Sequence, residues 1–361
     1  MTWTAAPPVL LQLVIGAGFI IVPNPVWAML FYLTMLPLAG IRLFRGDWRP
    51  TDAGSLAGVA LIGWFTLSIF WDSSGGGHLL WLWNGLCTLV FFVFALECER
   101  ERLVTIICVC ALINAAVAIA LFGLGHGDPT RMAGWAETRH PILGASIIGM
   151  AVVLAVGRFL GGGDTRLPAA TIVVGLVFIV LTGSRGPLLA ILVTLAVLLA
   201  ALRPAALAGV AVIVAVPLVW PGIISRALER GWSNRLEIWQ ISFRKIAAHP
   251  IFGTGPATLL DRPGEDFPHN LFLSTWLYSG IIGLALLLIL IALAVRAAWS
   301  EPNRVLRWTW LALLLHLVLS GLTDLSQITK GPGPMWYIVW LPIALVLSSH
   351  RSLTRHKGSL G

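Results

Sequence analysis

Residues 269–296 read HNLFLSTWLYSGIIGLALLLILIALAVR, with no Asp, Glu, Lys or Arg between Asn270 and Arg296. A hydrocarbon layer about 30 Å thick needs roughly 20 apolar residues to cross it as a helix, so this run spans a bilayer with length to spare. Working outward, the same pattern repeats. Apolar runs of comparable character lie near 6–22, 24–41, 54–71, 78–96, 103–124, 140–160, 168–183, 186–202, 205–221, 305–323 and 334–350. The chain of 361 residues is 58% hydrophobic and 11% charged, with 17 tryptophans. Those values override the two-soluble-domain prior that length alone suggests. The expectation is an all-α polytopic integral membrane protein of about twelve transmembrane helices.

Lys and Arg positions in the connections orient the spans, since positive charge is retained on the cytoplasmic side. With the N-terminus inside, the inner loops hold Arg42, Arg45 and Arg49; Arg100 and Arg102; Arg158 and Arg166; Arg203; and Arg296, Arg304 and Arg307. The tail adds Arg351, Arg355 and Lys357, so both termini are expected inside. Three segments follow: spans one to nine over 1–221, an outer loop over 222–268 carrying an amphipathic helix, and spans ten to twelve with a tail over 269–361. The first run lacks a basic leader and a small-residue cleavage site and is expected to be a span.

The net charge of +8 fits retention by the anionic inner leaflet, with membrane lipids rather than nucleic acid as partners. Cys87, Cys98, Cys108 and Cys110 fall in or beside spans four and five, so no disulfide framework is expected. Gly16, Gly18, Gly54, Gly58 and Gly63 are expected to permit close helix packing. Trp27, Trp48, Trp71, Trp81 and Trp83 are expected near the membrane interfaces. The two halves of the chain show no repeat, which counts against the inverted-repeat transporter folds.

Chemistry-bearing residues gather on the outer side. The loop 125–140, GHGDPTRMAGWAETRH, holds Arg131, Arg139 and His140 beside acidic residues, either as a loop salt-bridge cluster or as substrate contacts. In the turn TGSRGPLL, Pro187 lies in the first turn of the eighth span. Arg185 thereby sits beside unpaired N–H groups, an anion site in the making. The alternative is an arginine extending to the interface; the tight turn and its glycines favour the anion site.

In the long outer loop, Asn234 and Glu237 resemble a capping box, and Leu236, Trp239, Phe243 and Ala247 recur at helical spacing until Pro250. A surface helix over 235–248 follows, with Arg235 in a first turn whose dipole disfavours a cation. An anionic ligand at that end relieves the conflict. His269 follows Pro268 at the mouth of the tenth span, where the helix N-terminus favours the neutral ring. Asp261, Glu265 and Asp266 nearby show no metal-ligand spacing, and no cofactor or metal is expected. His316, Ser320 and Asp324 share one face of the eleventh span, Asp324 at its outer end.

Three of these segments together resemble the O-antigen ligase family of bacterial envelope membrane proteins. They are Arg185-x-x-x-Leu189, the stretch NRLEIW…HPIFGTGP, and His269-Asn270 followed after nine residues by Gly280-x-x-Gly283. Arg131-x-x-Gly134 with His140-Pro141 is a looser match. The outer loop between spans nine and ten departs from the family by being short, which bears on the acceptor-binding surface.

The resemblance implies a metal-independent glycosyltransferase of the bacterial inner membrane with its active site facing the periplasm. Such an enzyme moves a glycan from undecaprenyl diphosphate to lipid A–core oligosaccharide. Arg185 and Arg235 then bind the diphosphate, and His269 is the catalytic base of an inverting transfer. Arg131, Arg139, His140, Asn270 and Asp324 bind substrate or support the site. An O-antigen polymerase or a protein O-glycosyltransferase uses the same donor, and a transporter of the lipid-linked glycan is the reading from another class.

Overall fold

The computed structural model describes residues 9–45, 52–72, 77–129, 131–206, 235–262 and 266–348. Asn234 of the expected capping box, Glu265, Trp48, the basic tail and most of the ninth expected span lie outside them. Among the described residues every regular element is helical. We number them α1 (Val9–Ile21), α2 (Asn24–Arg45), α3 (Ala53–Leu67), α4 (His78–Glu97), α5 (Arg100–Gly123) and α6 (Pro141–Gly161). They continue as α7 (Arg166–Leu181), α8 (Arg185–Leu202), α9 (Arg235–Ala248), α10 (Leu271–Trp299) and α11 (Arg304–Asp324). The last is α12 (Trp336–Ser348), which opens on a π-helical turn.

Helices α2, α3 with its short extension to Trp71, α4, α5, α6, α8, α10 and α11 are long and apolar enough to cross a membrane; α1, α7 and α12 are shorter apolar helices. Each expected apolar run except the ninth is thus occupied by a helix. The protein is an all-helical, multi-pass membrane protein. Its chain divides into two compact units.

The first unit comprises Met1–Trp27, Glu99–Gly231 and Ala298–Ser320. Helix α6 is its centre, buried without interruption from Gly144 to Gly157 and packed on α5, α7 and α8. Apolar side chains gain little by associating in a hydrocarbon solvent, so close backbone approach must supply the packing, and small residues allow it. Gly149 abuts the His316 ring, where an added Cβ would stand 2.6 Å from Cε1. His316 is 2% exposed, and its Nε2 donates to the Ser146 carbonyl at 3.0 Å. Overpacking of this kind costs about 1–3 kcal/mol. Gly149→Leu is therefore expected to lower the melting temperature in detergent, a shift that fluorescence-monitored heating detects; an unchanged melting temperature contradicts the packing account.

Gly16 and Gly18 pack as expected, Gly18 directly beneath the Trp27 indole. Trp27, in the first turn of α2, is fully buried over Gly18 and donates from Nε1 to the Val14 carbonyl at 2.7 Å.

The second unit comprises Ala28–Cys98, Trp232–Ala297 and Gly321–Gly361. Asp52 caps α3 through the Ser55 N–H at 2.8 Å, and Gly54 and Gly58 receive Leu347 and the Phe92 ring. Gly63 meets nothing within 4 Å and makes no close contact, contrary to expectation. Trp336 stacks on Phe91 with ring centroids 4.7 Å apart and donates to Thr88 Oγ1 at 3.0 Å.

The distinctive element of this unit is α10. Gly280, at φ 69° and ψ −173°, breaks the helix in its apolar interior. A broken helix at membrane depth must satisfy its freed backbone groups within the protein. Here the loop after α9 does so. The Ile281 N–H donates to the Pro250 carbonyl at 2.9 Å. The Leu277 carbonyl accepts from the Thr254 N–H at 2.8 Å, and the Tyr278 carbonyl from the Gly255 N–H at 3.0 Å. Gly253 and Gly255 adopt φ of 77° and 87° to make this approach. The Gly-Thr-Gly-Pro turn and the glycine of the downstream motif are therefore two halves of one backbone interlock.

Candidate active site

In the second unit, three side chains converge where α9 begins, α10 begins and α11 ends. Asp324 closes α11 with its carboxylate 8% exposed. Its Oδ1 receives His269 Nδ1 at 2.7 Å and lies 3.5 Å from Arg235 Nη2. Arg235 Nη1 also donates to the main-chain carbonyl of His269 at 3.3 Å. An ionised carboxylate can only accept hydrogen bonds. The proton of neutral His269 therefore belongs on Nδ1, which makes Nε2 the accepting nitrogen of the ring. This carboxylate–imidazole arrangement orients a general base in a fixed tautomer.

The backbone around His269 is shaped for the task. His269 has φ of 52°, a left-handed conformation that costs a non-glycine residue of order 1–3 kcal/mol. Asn270 Oδ1 caps α10 by accepting from the Phe272 and Leu273 N–H groups, both at 3.0 Å. Its Nδ2 donates to the Leu322 carbonyl at 3.2 Å, fastening the start of α10 to the end of α11. Trp239 Nε1 donates to the Pro268 carbonyl at 3.0 Å. An apolar cleft of about 250 Å³ adjoins Asn270, walled by Trp239, Phe243, Phe272 and Trp276.

Charge pairs dock the rest of the loop on α9. Lys245 reaches Asp261 at 3.0 Å and the Leu259 carbonyl at 3.0 Å, while Arg262 pairs with Glu237 at 2.9 Å. Lys245 is thus a tether rather than simply part of a solvated face. Asp261 is occupied by that tether, and among the described residues no three of His, Cys, Asp and Glu gather into a metal-sized group.

Asp324 also answers the helix-end conflict at Arg235. The carboxylate faces the cation, so its relief does not require an external anion.

The other candidates belong to the first unit. Helix α8 begins at Arg185 itself, which is exposed at its first turn with Pro187 two residues on. Arg131 buttresses that turn: Nε donates to the Thr182 carbonyl at 3.0 Å and Nη2 to Ser184 Oγ at 3.0 Å. His140 caps α6, its Nδ1 accepting from the Leu143 N–H at 3.4 Å. Arg139 is exposed on the short turn before it. Burial pushes the neighbouring Glu137 carboxyl up, while the Arg139 charge and a backbone hydrogen bond from Asn24 pull it down.

Residues 170–288 match the O-Antigen ligase family. An O-antigen ligase of Pseudomonas aeruginosa is 28% identical over 344 residues, covering 90% of this chain and 82% of that protein. The resemblance to the O-antigen ligase family holds. The family segment contains Arg185, Arg235, His269, Asn270 and the Gly280 kink, whereas Arg131, Arg139, His140 and Asp324 lie outside it. A chain of a solved peptidoglycan synthase complex superposes with a TM-score of 0.52 at 17% identity, covering 84% of this chain and 99% of that one. At that identity the likeness concerns the fold alone.

Two contributions were not legible from spacing. Trp239 reads as one more apolar position of an amphipathic helix, and only its indole N–H on Pro268 sets it apart. Asp324 was visible as the outer end of a polar face on α11, but its pairing with His269 was not.

Proposed function

We propose that this protein is an O-antigen ligase, transferring a glycan from undecaprenyl diphosphate to lipid A–core at the periplasmic face of the inner membrane, with both termini cytoplasmic. The observation that carries the reading is the His269–Asp324 pair at the ends of two long apolar helices, inside a chain related to O-antigen ligases.

The acceptor hydroxyl gives its proton to His269 Nε2 as its oxygen forms a bond to the anomeric carbon. The bond from that carbon to the diphosphate oxygen breaks, and carrier diphosphate leaves with the electron pair. Because the leaving group is a stabilised anion, one base suffices and no general acid is required. Attack from the face opposite the leaving group inverts the anomeric centre. Retention calls for a nucleophilic carboxylate against that carbon, and Asp324 Oδ1 is engaged instead with His269 and Arg235.

Arg185 and Arg235 are the diphosphate ligands of this scheme. Charge-assisted hydrogen bonds contribute about 1.5–3 kcal/mol each, and the guanidinium fork matches phosphate oxygens. Arg185→Ala and Arg235→Ala are each expected to weaken donor use at least tenfold. Lysine should rescue poorly, because it keeps the charge and loses the fork. Normal donor binding and turnover in both alanine variants would remove the anion site. EDTA is expected to leave the rate unchanged; a reproducible metal requirement contradicts the scheme.

Chromosomal deletion followed by lipopolysaccharide gel analysis tests the function in cells. A ligase deletion leaves unsubstituted core while carrier-linked polymer accumulates. Core bearing one repeat unit would instead identify a polymerase.

A further inference from the structure

We propose that Trp239 is a positioning residue for the His269 base, acting with Arg235 as a clamp on the peptide that carries it; the inference rests on the reading of His269 as base. The two residues stand one helical turn apart on α9, on the same face. They grip consecutive main-chain carbonyls, Trp239 Nε1 holding Pro268 at 3.0 Å and Arg235 Nη1 holding His269 at 3.3 Å.

What they grip is the one segment of the site whose backbone is left-handed at a non-glycine residue, His269 at φ 52°. A residue in a sparsely populated conformation persists only where its surroundings over-determine it. On the far side Asn270 fixes the chain to α10 and to the Leu322 carbonyl. On the near side Pro268 has no N–H of its own to anchor it. Its carbonyl is the remaining handle, and Trp239 takes it.

Releasing that carbonyl lets the peptide turn and the imidazole swing from Asp324 Oδ1, which it meets at 2.7 Å. Misplacement of a reacting group by about 1 Å is enough to cost about a hundredfold in rate. The effect falls on the chemical step, since Trp239 touches the base's backbone and not the reacting atoms. Helix α9 thus sets the geometry of the base from a neighbouring element.

The test uses the full-length protein in detergent, with undecaprenyl-diphosphate-linked glycan and lipid A–core. Trp239→Phe keeps an aromatic ring in the cleft and removes the indole N–H together with the pyrrole part of the ring, the same truncation that the control makes. It is expected to lower kcat about ten- to a hundredfold with donor KM within about twofold, and to move the pH–rate profile in the same direction as Asp324→Asn. Trp71→Phe is the control, because it removes an indole bond of the same kind, 3.0 Å to the Phe252 carbonyl in the same unit, without touching the base. It should leave kcat unchanged. A wild-type kcat in Trp239→Phe, a loss confined to KM, an equal loss in Trp71→Phe, or a lowered kcat with an unmoved pH profile overturns the clamp. His269→Ala in the same assay separates the two claims. Transfer retained there overturns the base assignment itself, whereas transfer lost there beside a normal Trp239→Phe overturns the clamp alone.

Discussion

Replacement of His269 by alanine is expected to abolish glycan transfer while donor binding stays within a few-fold of wild type. The ring meets Asp324 Oδ1 at 2.7 Å, the contact that orients it as a base. Loss of a positioned acid–base group costs about 10²–10⁴ in rate, and the pH–rate profile should lose its acid limb with it. Asp324→Asn acts through the same ring and should cost less. An asparagine amide keeps one acceptor but adds two donors, so it no longer enforces the Nδ1–H tautomer. Single-turnover transfer with radiolabelled donor measures both. Near-normal transfer by His269→Ala in membrane-inserted protein excludes the base assignment.

The second large effect is structural. Gly280→Val is expected to prevent accumulation of folded protein. At φ 69° and ψ −173° the backbone occupies a region essentially restricted to glycine. A Cβ there would also drive into the Ile251 carbonyl. Relief of the clash requires the loop to withdraw, which strands the Leu277 and Tyr278 carbonyls and the Ile281 N–H inside the protein at once. Unsatisfied backbone groups away from water cost several kcal/mol each in hydrocarbon. Size-exclusion chromatography of the detergent extract reads the outcome. A monodisperse Gly280→Val protein with the wild-type melting temperature would contradict the interlock.

Much of this molecule was legible before any coordinates. Helices in a membrane must satisfy their own backbone, so long apolar runs leave few alternatives, and each expected run but the ninth is occupied by a helix. The surface helix over 235–248 was equally readable, because Leu236, Trp239 and Phe243 keep helical spacing and Pro250 ends it; it is observed as Arg235–Ala248. What resisted was pairing across sequence distance. His269 and Asp324 stand 55 residues apart, and nothing in their local spacing joins them. Arg235 presented a dipole conflict whose resolution lay on another helix. Gly280 admits the Ile251 peptide, which no periodicity of a single segment reveals.

The central claim, a one-base direct displacement at His269, is tested most directly by the anomeric configuration of the product. Purified protein is given undecaprenyl-diphosphate-linked glycan of known configuration and lipid A–core, and the new glycosidic linkage is read from its one-bond carbon–hydrogen coupling by NMR. The account predicts a single product, glycan on core with the configuration opposite to that of the donor. A product that retains the donor's configuration would contradict it.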